Sequence, residues 1–313
     1  MYKIGVDVGG MSIKIGLVDD LGNIVAKSVV ETKIDFNLAV KDICLLIKNI
    51  LEDNKISLSN INGIGVGLPG AVNSKTGIVD FLPNLGWKNV DLVSLIKGYL
   101  DTKVCIANDA NAAVLGEYKY GVAKNYDSVV MFTLGTGVGG GVIIDGKLFE
   151  GEECRGTELG HVTLVLDGIE CTCGRKGCVE RYVSATALIE QTKDAMLADK
   201  TTSMWTYVNG DINKVNGRTA FECAKNNDYL AIQVIENYVK YLSESIMNML
   251  NVFRPKAFII GGGISAEGSY LIDKVVSYCE MHEYGYKGAP KTQILKASLG
   301  NDAGIIGAAA LID

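Results

Sequence analysis

The sequence predicts two α/β lobes of the same kind, and three observations support this fold class. The first is a repeat: a strand, a glycine loop, a second strand, a tight turn and a third strand occur at residues 2–30 and again at residues 128–149. The second is length, because 313 residues are enough for about two domains. The third is composition, because 48% apolar residues can form a sizeable core. Open α/β sheets bind ligands beyond the ends of their strands, so we expect the active site in a cleft between the lobes.

The first half of the chain begins with antiparallel strands and continues with alternating helices and strands. The predicted strands lie at residues 2–8, 13–18, 24–30, 61–68 and 104–107. The predicted helices lie at residues 38–51, where apolar side chains recur at helical spacing, and at residues 90–99. An alanine-rich helix follows Asn108 and Asp109.

The second half repeats this pattern and adds a long helix. The predicted strands lie at residues 128–134, 141–144, 147–149 and 257–260, with a glycine loop at residues 135–140. The helix at residues 230–253 is amphipathic, and its apolar face consists of Ile235, Tyr238, Val239, Leu242, Ile246, Met249 and Leu250. We expect residues 1–115 to form the smaller lobe and residues 116–299 the larger one, with a C-terminal helix at residues 300–313 that packs back on the smaller lobe.

Composition excludes several classes of function. A net charge of −6 without a long basic run weighs against nucleic acid as a main partner. No apolar run reaches the length of about 18 residues that a membrane span needs. Asp7 interrupts the first apolar run, which is not typical of a signal peptide. We therefore expect a cytoplasmic protein, whose scattered cysteines (Cys44, Cys105, Cys154, Cys223 and Cys279) are reduced thiols.

The densest group of chemically active residues lies at positions 158–180. It contains His161, Cys171, Cys173 and Cys178, and thiolate and imidazole are the usual ligands of tetrahedral zinc. The alternative is three unrelated buried thiols beside a core histidine. Two carboxylates, Glu158 and Glu180, bracket the cluster, so we expect the zinc loop to position other groups. Because protein atoms fill all four ligand positions, this zinc is predicted to be structural rather than catalytic.

Three glycine-rich turns are candidates for nucleotide binding. Glycine lets backbone N–H groups approach an anion, because no Cβ stands in the way. The first turn is Gly9-Gly10-Met11-Ser12 after Asp7, and Asp7 could hold a hydrated Mg²⁺ near the phosphates. The others are Gly135-Thr136-Gly137-Val138-Gly139 and Gly261-Gly262-Gly263. Alone, the first is indistinguishable from an ordinary hairpin that has an aspartate at its end, and none of them is a Walker or Rossmann motif.

Asn108 and Asp109 lie between a short buried strand and a helix. One interpretation is a helix N-cap. The other is that Asp109 accepts a proton from a substrate hydroxyl as that hydroxyl attacks phosphorus.

Together these motifs resemble the ROK sugar kinases, a family of the actin/hexokinase-like superfamily. The resemblance covers nearly the whole chain in the right order, and the Cys/His loop is its most specific part. It implies two ribonuclease-H-like lobes and the ATP-dependent phosphorylation of a sugar hydroxyl, usually at carbon 6. The general base implied is Asp109.

The resemblance also implies binding residues. The sugar would be bound by Gly70, Asn84, Asn108, Asp109, Glu158, His161 and Glu180. Mg²⁺ and ATP would be bound by Asp7, Gly9, Gly10, Ser12, Lys14, Gly135, Thr136, Gly137, Gly139, Gly261, Gly262 and Gly263. His161 would serve both the zinc and the sugar, one through each ring nitrogen. The chain departs from the family at Met11, where threonine is usual, and Ser12 could replace that hydroxyl.

The preferred sugar is predicted to be glucose. Leu68-Pro69-Gly70-Ala71-Val72 and Leu82-Pro83-Asn84-Leu85-Gly86-Trp87 resemble the glucokinase members, whereas N-acetylmannosamine kinases tend to carry arginine near position 71. N-acetylmannosamine, fructose and allose remain alternative substrates. Trp87 is expected to be a packing aromatic rather than a sugar contact.

Two other classes are less compatible with the sequence. Sugar-sensing repressors of the family carry an N-terminal DNA-binding domain, whereas the first strand here begins at Tyr2. A non-catalytic sugar-binding protein would not need both Asp7 and Asp109. The family is often dimeric, so a homodimer is expected. The apolar face at residues 230–253 is explained equally well by a dimer interface or by the core.

Overall fold

The structure is a computed structural model that describes residues 1–282, 284–285 and 290–312. The strands are, in chain order, β1 (Tyr2–Val8), β2 (Ser12–Asp19), β3 (Ile24–Glu31), β4 (Ile61–Leu68), β5 (Ala71–Asn73), β6 (Ile78–Leu82), β7 (Trp87–Asp91), β8 (Val104–Asn108), β9 (Val129–Leu134), β10 (Val138–Ile144), β11 (Lys147–Leu148), β12 (Ala257–Gly261) and β13 (Gln293–Lys296).

The α-helices are α1 (Phe36–Asp53), α2 (Leu92–Lys97), α3 (Asp109–Lys119), α4 (Glu180–Val183), α5 (Ala185–Ala198), α6 (Met204–Tyr207), α7 (Thr219–Lys225), α8 (Tyr229–Phe253), α9 (Ser269–His282) and α10 (Ala303–Ala310). No helix of the described residues is both long and apolar enough to cross a membrane.

Two five-stranded sheets have the same internal order. One runs β3-β2-β1-β4-β8 and the other β11-β10-β9-β12-β13. In the first, β1, β2 and β3 pair antiparallel, and β1, β4 and β8 pair parallel. The repeated strand, loop and turn pattern of the sequence therefore corresponds to a repeated strand order in the two sheets.

The chain divides into two compact units. Unit 1 consists of residues 1–129, 141–157 and 298–313, and unit 2 of residues 130–140 and 158–297. The predicted boundary between two functional lobes at residue 115 stays a prediction. The predicted helix at residues 300–313 contains α10, which packs on β1 and α3 within unit 1, and residue 313 lies outside the described residues.

The region after β4 differs from the sequence prediction. The predicted helix at residues 90–99 is shorter, because β7 continues to Asp91 and α2 begins after it. The Asp91 side chain caps α2 by accepting a hydrogen bond from the Ser94 N–H at 3.0 Å. A small sheet of order β5-β6-β7, which the sequence pattern did not predict, occupies this region. Its strands are too short for a clear alternation of apolar and polar residues.

Two predicted apolar features lie in the core of their units. Trp87 is 2% exposed, donates from Nε1 to Ile34 O at 2.7 Å and meets Phe36 edge to face. It is a packing aromatic, as predicted. The apolar face of α8 is also buried within unit 2, and Tyr238 donates to Val183 O at 2.8 Å. Core packing therefore accounts for that face.

Candidate functional site

The carboxyl ends of three parallel strands bring Asp7 and Asp109 to one edge of the unit 1 sheet. Asp7 on β1 is in register with Gly67 on β4, and Gly67 is in register with Ala107 on β8. Neighbouring strands lie about 4.8 Å apart, so Asp7 and Ala107 are separated by about 10 Å. Asp109 follows two residues later at the first position of α3. The two carboxylates that the sequence singled out therefore share a strand-end edge.

Asp7 is held between a lysine and a helix backbone. Lys14 Nζ lies 3.4 Å from Asp7 Oδ2, and the Asp7 side chain is 22% exposed. Gly304 in the first turn of α10 also packs against this carboxylate. A Cβ at position 304 would lie 2.5 Å from Asp7 Cγ and 2.6 Å from Oδ2, closer than Cβ contacts allow. One carboxylate with phosphate oxygens as further ligands is a common Mg²⁺ arrangement, so Asp7 fits this ion.

Gly304→Ala is expected to displace the Asp7 carboxylate and to lower kcat/KM for ATP by about 100-fold, because small misplacements at a reacting centre cost that much. Steady-state kinetics over a range of ATP and Mg²⁺ concentrations would measure this. Gly98→Ala at the end of α2 is the matched control, since the nearest contact of its Cβ would be Leu95 O at 3.3 Å. Unchanged ATP kinetics in Gly304→Ala would contradict the role of Asp7.

The first glycine turn is held mainly through its carbonyl groups. Gly9 N–H donates to Ser12 O at 2.9 Å, and Thr32 Oγ1 donates to Gly9 O at 2.7 Å. A Cβ on Gly10 would lie 3.8 Å from Asn84 Cβ, so a predicted phosphate contact and a predicted sugar contact are neighbours. Met11 is 88% exposed, and no contact in the structure explains a methionine at this position.

Asn108 is the N-cap of α3. Its Oδ1 accepts from Ala110 N at 2.9 Å, and its Nδ2 donates to Gly70 O at 3.1 Å. The capping interpretation is therefore correct for Asn108. Asp109 is exposed, and its Oδ1 accepts from Ala110 N at 2.8 Å. Gly70 adopts a φ of +87°, and a Cβ there would lie 2.6 Å from Phe81 O, so this position requires glycine.

In unit 2, the four predicted zinc ligands converge. The ligand atoms of His161, Cys171, Cys173 and Cys178 all lie within 4.8 Å of one another. Cys171 Sγ is 3.6 Å from His161 Nδ1, and Cys173 Sγ is 3.6 Å from Cys178 Sγ. Ligands at normal Zn–S and Zn–N distances in a tetrahedron are separated by about 3.5–3.8 Å. The donor set and its spacing therefore fit zinc.

Tight turns close this loop. Cys171 N–H donates to Arg175 O at 2.8 Å, and Gly174 N–H donates to Cys171 O at 3.0 Å. Gly177 has a φ of +73°, and a Cβ there would overlap Val165 O. Gly174 has a φ of +86°, so both glycines of the loop adopt a backbone conformation that other residues rarely take.

The pKa values of two thiols of the cluster are shifted in opposite directions. Burial, followed by hydrogen bonding with Cys173, raises the pKa of Cys178 to about 12. Burial also acts to raise the pKa of Cys173, but hydrogen bonds from the Arg175 N–H and the neighbouring sulfurs outweigh it, so that pKa is lowered. A cation bound by the cluster would stabilise the thiolate forms of Cys171, Cys173 and Cys178, since metal ligation displaces thiol protons.

Glu180 connects the zinc loop to the second glycine turn. Its Oε2 accepts from Val138 N at 3.0 Å, and a Cβ on Gly137 would overlap the same oxygen. Its Oε1 lies 3.8 Å from Cys171 Sγ. A second hydrogen bond, from Ala185 N–H to Gly135 O at 2.8 Å, also holds the turn.

Two further predicted residues of this turn have different surroundings. Thr136 is exposed, and its backbone O accepts from Thr186 Oγ1 at 2.8 Å. Gly139, predicted in the loop, belongs to β10, because that strand begins at Val138 rather than at residue 141.

The third glycine turn also reaches the second one. Gly262 has a φ of +80°, and a Cβ there would lie 2.5 Å from Leu134 N. Leu134 is the last residue of β9 and directly precedes Gly135. Gly261 ends β12, and Gly263 begins a short 3₁₀ helix. Within unit 2, the structure therefore brings together two predicted nucleotide turns and, through Glu180, the zinc loop.

Comparison with known proteins gives the family. The profile described as "ROK family" matches residues 3–313. The chain belongs to the ROK family. It has the actin/hexokinase-type two-lobe α/β fold of ROK kinases.

Individual ROK proteins are similar over nearly the full chain. A glucokinase of Streptomyces coelicolor is 33% identical over 310 residues, which are 98% of this chain and 96% of that protein. A solved ROK family glucokinase from Streptomyces griseus, in complex with glucose and AMPPNP, is 33% identical with a TM-score of 0.85 and covers 99% of each chain. A xylose repressor of Bacillus subtilis is 30% identical over 99% of this chain and 77% of its own length.

One contact of this ROK chain that bears directly on Asp7 is not signalled by the sequence. The sequence pattern places Gly304 only within the C-terminal helix predicted at residues 300–313. Its packing on the Asp7 carboxylate joins the two ends of the chain, and no local spacing signals such a contact. A glycine in the first turn of a helix otherwise rich in alanine and isoleucine is the sole local hint.

Proposed function

We propose that this chain catalyses the ATP-dependent phosphorylation of a hexose at the 6-hydroxyl, with glucose as the first candidate. The observation that carries the proposal is the shared strand-end edge of Asp7 and Asp109. A kinase needs one group to hold the metal–phosphate end and another to accept the hydroxyl proton. The similarity to glucokinases over 98–99% of the chain favours glucose.

Asp109 is proposed as the general base. As the O6–phosphorus bond forms and the bond between phosphorus and the β–γ bridging oxygen breaks, the O6 proton moves to an Asp109 carboxylate oxygen. The exposure of Asp109 and its place at the first position of α3 suit this role, because the carboxylate stays accessible while the helix holds its backbone.

Phosphate binding is assigned to the glycine turns and their charged neighbours. Asp7 would hold Mg²⁺, which neutralises phosphate charge, and Lys14 adds a positive charge 3.4 Å from Asp7. The first phosphate-binding group consists of Gly9, Gly10 and Ser12. The second phosphate-binding group consists of Gly135, Thr136 and Gly137 of the second turn together with Gly139 of β10. The third consists of Gly261, at the end of β12, with Gly262 and Gly263.

Sugar binding is assigned to two groups of polar residues. The first consists of Asn84, Asn108 and the Gly70 segment, and the second of Glu158, His161 and Glu180. His161 Nδ1 faces Cys171, so zinc ligation through Nδ1 would leave Nε2 protonated as a donor to a sugar hydroxyl. Zinc would thus act as a brace for the sugar-binding groups.

An ADP-release assay across a panel of hexoses tests the proposal. We expect turnover with glucose and ATP, and none with 6-deoxyglucose, which lacks the accepting hydroxyl. Polyphosphate replaces ATP in a parallel series to identify the donor. Higher turnover with N-acetylmannosamine, fructose or allose would reassign the sugar, and no turnover with any hexose would contradict the kinase assignment.

A sugar-responsive regulator is the second candidate, because the Bacillus subtilis xylose repressor is 30% identical to this chain. Calorimetry on the same hexose panel separates the two. Sugar binding without turnover, under conditions where ATP also binds, would favour the regulator.

A further inference from the structure

The segment at residues 150–157 has a backbone that needs external support. Gly151, Glu153, Cys154 and Thr157 have φ values of +72°, +51°, +58° and +60°. Three of these residues carry a Cβ, and non-glycine residues in this region are strained, most of all β-branched threonine. Contacts with the rest of the protein must therefore hold the segment in this conformation.

Other parts of unit 1, to which the segment itself belongs, supply those contacts. Ser74 Oγ donates to Glu150 Oε2 at 2.7 Å and lies 3.1 Å from the buried Cys154 sulfur. Arg155 Nη2 lies 3.0 Å from Asp80 Oδ2. The segment is thus attached at several points to β6 and to the turn that follows β5.

Its last contact reaches the helix of the proposed general base. Thr157 Oγ1 donates to Asn111 Oδ1 at 3.3 Å. Asn111 is 3% exposed and lies in α3 two residues after Asp109. A buried amide oxygen that loses its partner carries a desolvation cost, so the pair restrains both residues.

Thr157 is also the residue directly before Glu158. Consecutive Cα atoms are about 3.8 Å apart, so the position and φ of Thr157 set where the Glu158 backbone begins. The hydrogen bond to Asn111 consequently restrains the residue that sets where the Glu158 backbone begins.

We propose that Asn111 and Thr157 are a positioning pair for Glu158: their hydrogen bond sets hexose affinity, and neither residue touches the reacting atoms. This inference rests on the proposed function, in which Glu158 binds the sugar. It assigns a positioning role to two residues outside the predicted sugar-binding set.

Thr157→Val tests the pair, because it removes the hydroxyl and keeps the branched shape. We expect the hexose KM to rise about tenfold, with kcat and the ATP KM unchanged within about twofold. Thr157→Ser keeps the hydroxyl and should restore the wild-type KM. Asn111→Ala should raise the KM equally, and the double variant Asn111→Ala/Thr157→Val should raise it no further.

Thr201→Val is the matched control, because it removes a hydroxyl that donates to Asp199 Oδ1 at 2.7 Å in an exposed turn. Thermal unfolding of each variant confirms that KM is measured on folded protein. If Asn111→Ala does not fold, the comparison of Thr157→Val with Thr157→Ser carries the test alone.

Two outcomes would contradict the proposed positioning role of Asn111 and Thr157. One is an unchanged hexose KM in Thr157→Val. The other is a raised KM in Thr157→Val with a normal KM in Asn111→Ala, which would mean that Thr157 contacts the sugar directly. A wild-type protein that binds hexose but does not phosphorylate it refutes the kinase function separately, and the pair is then tested by the hexose dissociation constants of the same variants.

Discussion

Asp109→Asn is expected to lower kcat for hexose phosphorylation by about 10²–10⁴-fold, the range that general base catalysis contributes. The amide has nearly the size of the carboxylate and its Oδ1 can still accept from Ala110 N, so α3 should be preserved. It cannot accept the O6 proton. Hexose binding, measured by calorimetry, should stay within about threefold of the wild type, because only the transition-state interaction is removed.

Asp101→Asn is the matched control for this variant. Asp101 is exposed and lies just before β8, so the same chemical change is made at the other end of the strand. Near-normal turnover in Asp109→Asn would remove Asp109 from the base role. A parallel loss of hexose binding would instead assign it to sugar recognition.

Cys173→Ser is expected to abolish tight zinc binding and to lower kcat/KM for the hexose by about 10–100-fold, the usual effect of disturbing groups that orient a metal site. One of four ligands is lost, and the loop that carries His161 is no longer braced. Elemental analysis of the purified protein gives the zinc content, and steady-state kinetics give the hexose parameters.

Cys105→Ser serves as the control, since Cys105 is a half-buried free thiol on β8 outside the cluster. Wild-type protein stripped of zinc by a chelator and then reloaded separates the effect of the metal from that of the serine. Full hexose affinity in the metal-free wild type would show that the loop does not brace the sugar-binding groups.

The sequence predicted those features of the fold that depend on neighbouring residues. Strand β4 matches the predicted residues 61–68, since a run of small and branched apolar residues ends at Pro69-Gly70. The convergence of the Cys/His cluster was also predictable, because Cys171, Cys173 and Cys178 lie within eight residues of one another. The repeated sheet order followed from the repeated strand, loop and turn pattern.

Features that depend on distant packing were not predictable. The contact of Gly304 with Asp7, of Gly137 with Glu180 and of Thr157 with Asn111 each joins separate segments. Sequence periodicity reports only which side of an element is apolar, and not which backbone lies against which side chain. The candidate residues were thus identifiable from local chemistry, whereas the contacts that orient them required the structure.

The two carboxylate oxygens of Glu180 contact two different parts of the proposed site, which would link their binding equilibria. One is bonded to the Val138 N–H beside a proposed nucleotide turn, and the other lies against a proposed zinc ligand. If the turn binds nucleotide as proposed, a change in the metal loop that moves this carboxylate would also change the free energy of nucleotide binding. Linkage would make the effect reciprocal, so that zinc and nucleotide would change each other's binding free energy by the same amount. The ATP dissociation constant of Cys173→Ser, compared with that of the wild type, would measure this coupling.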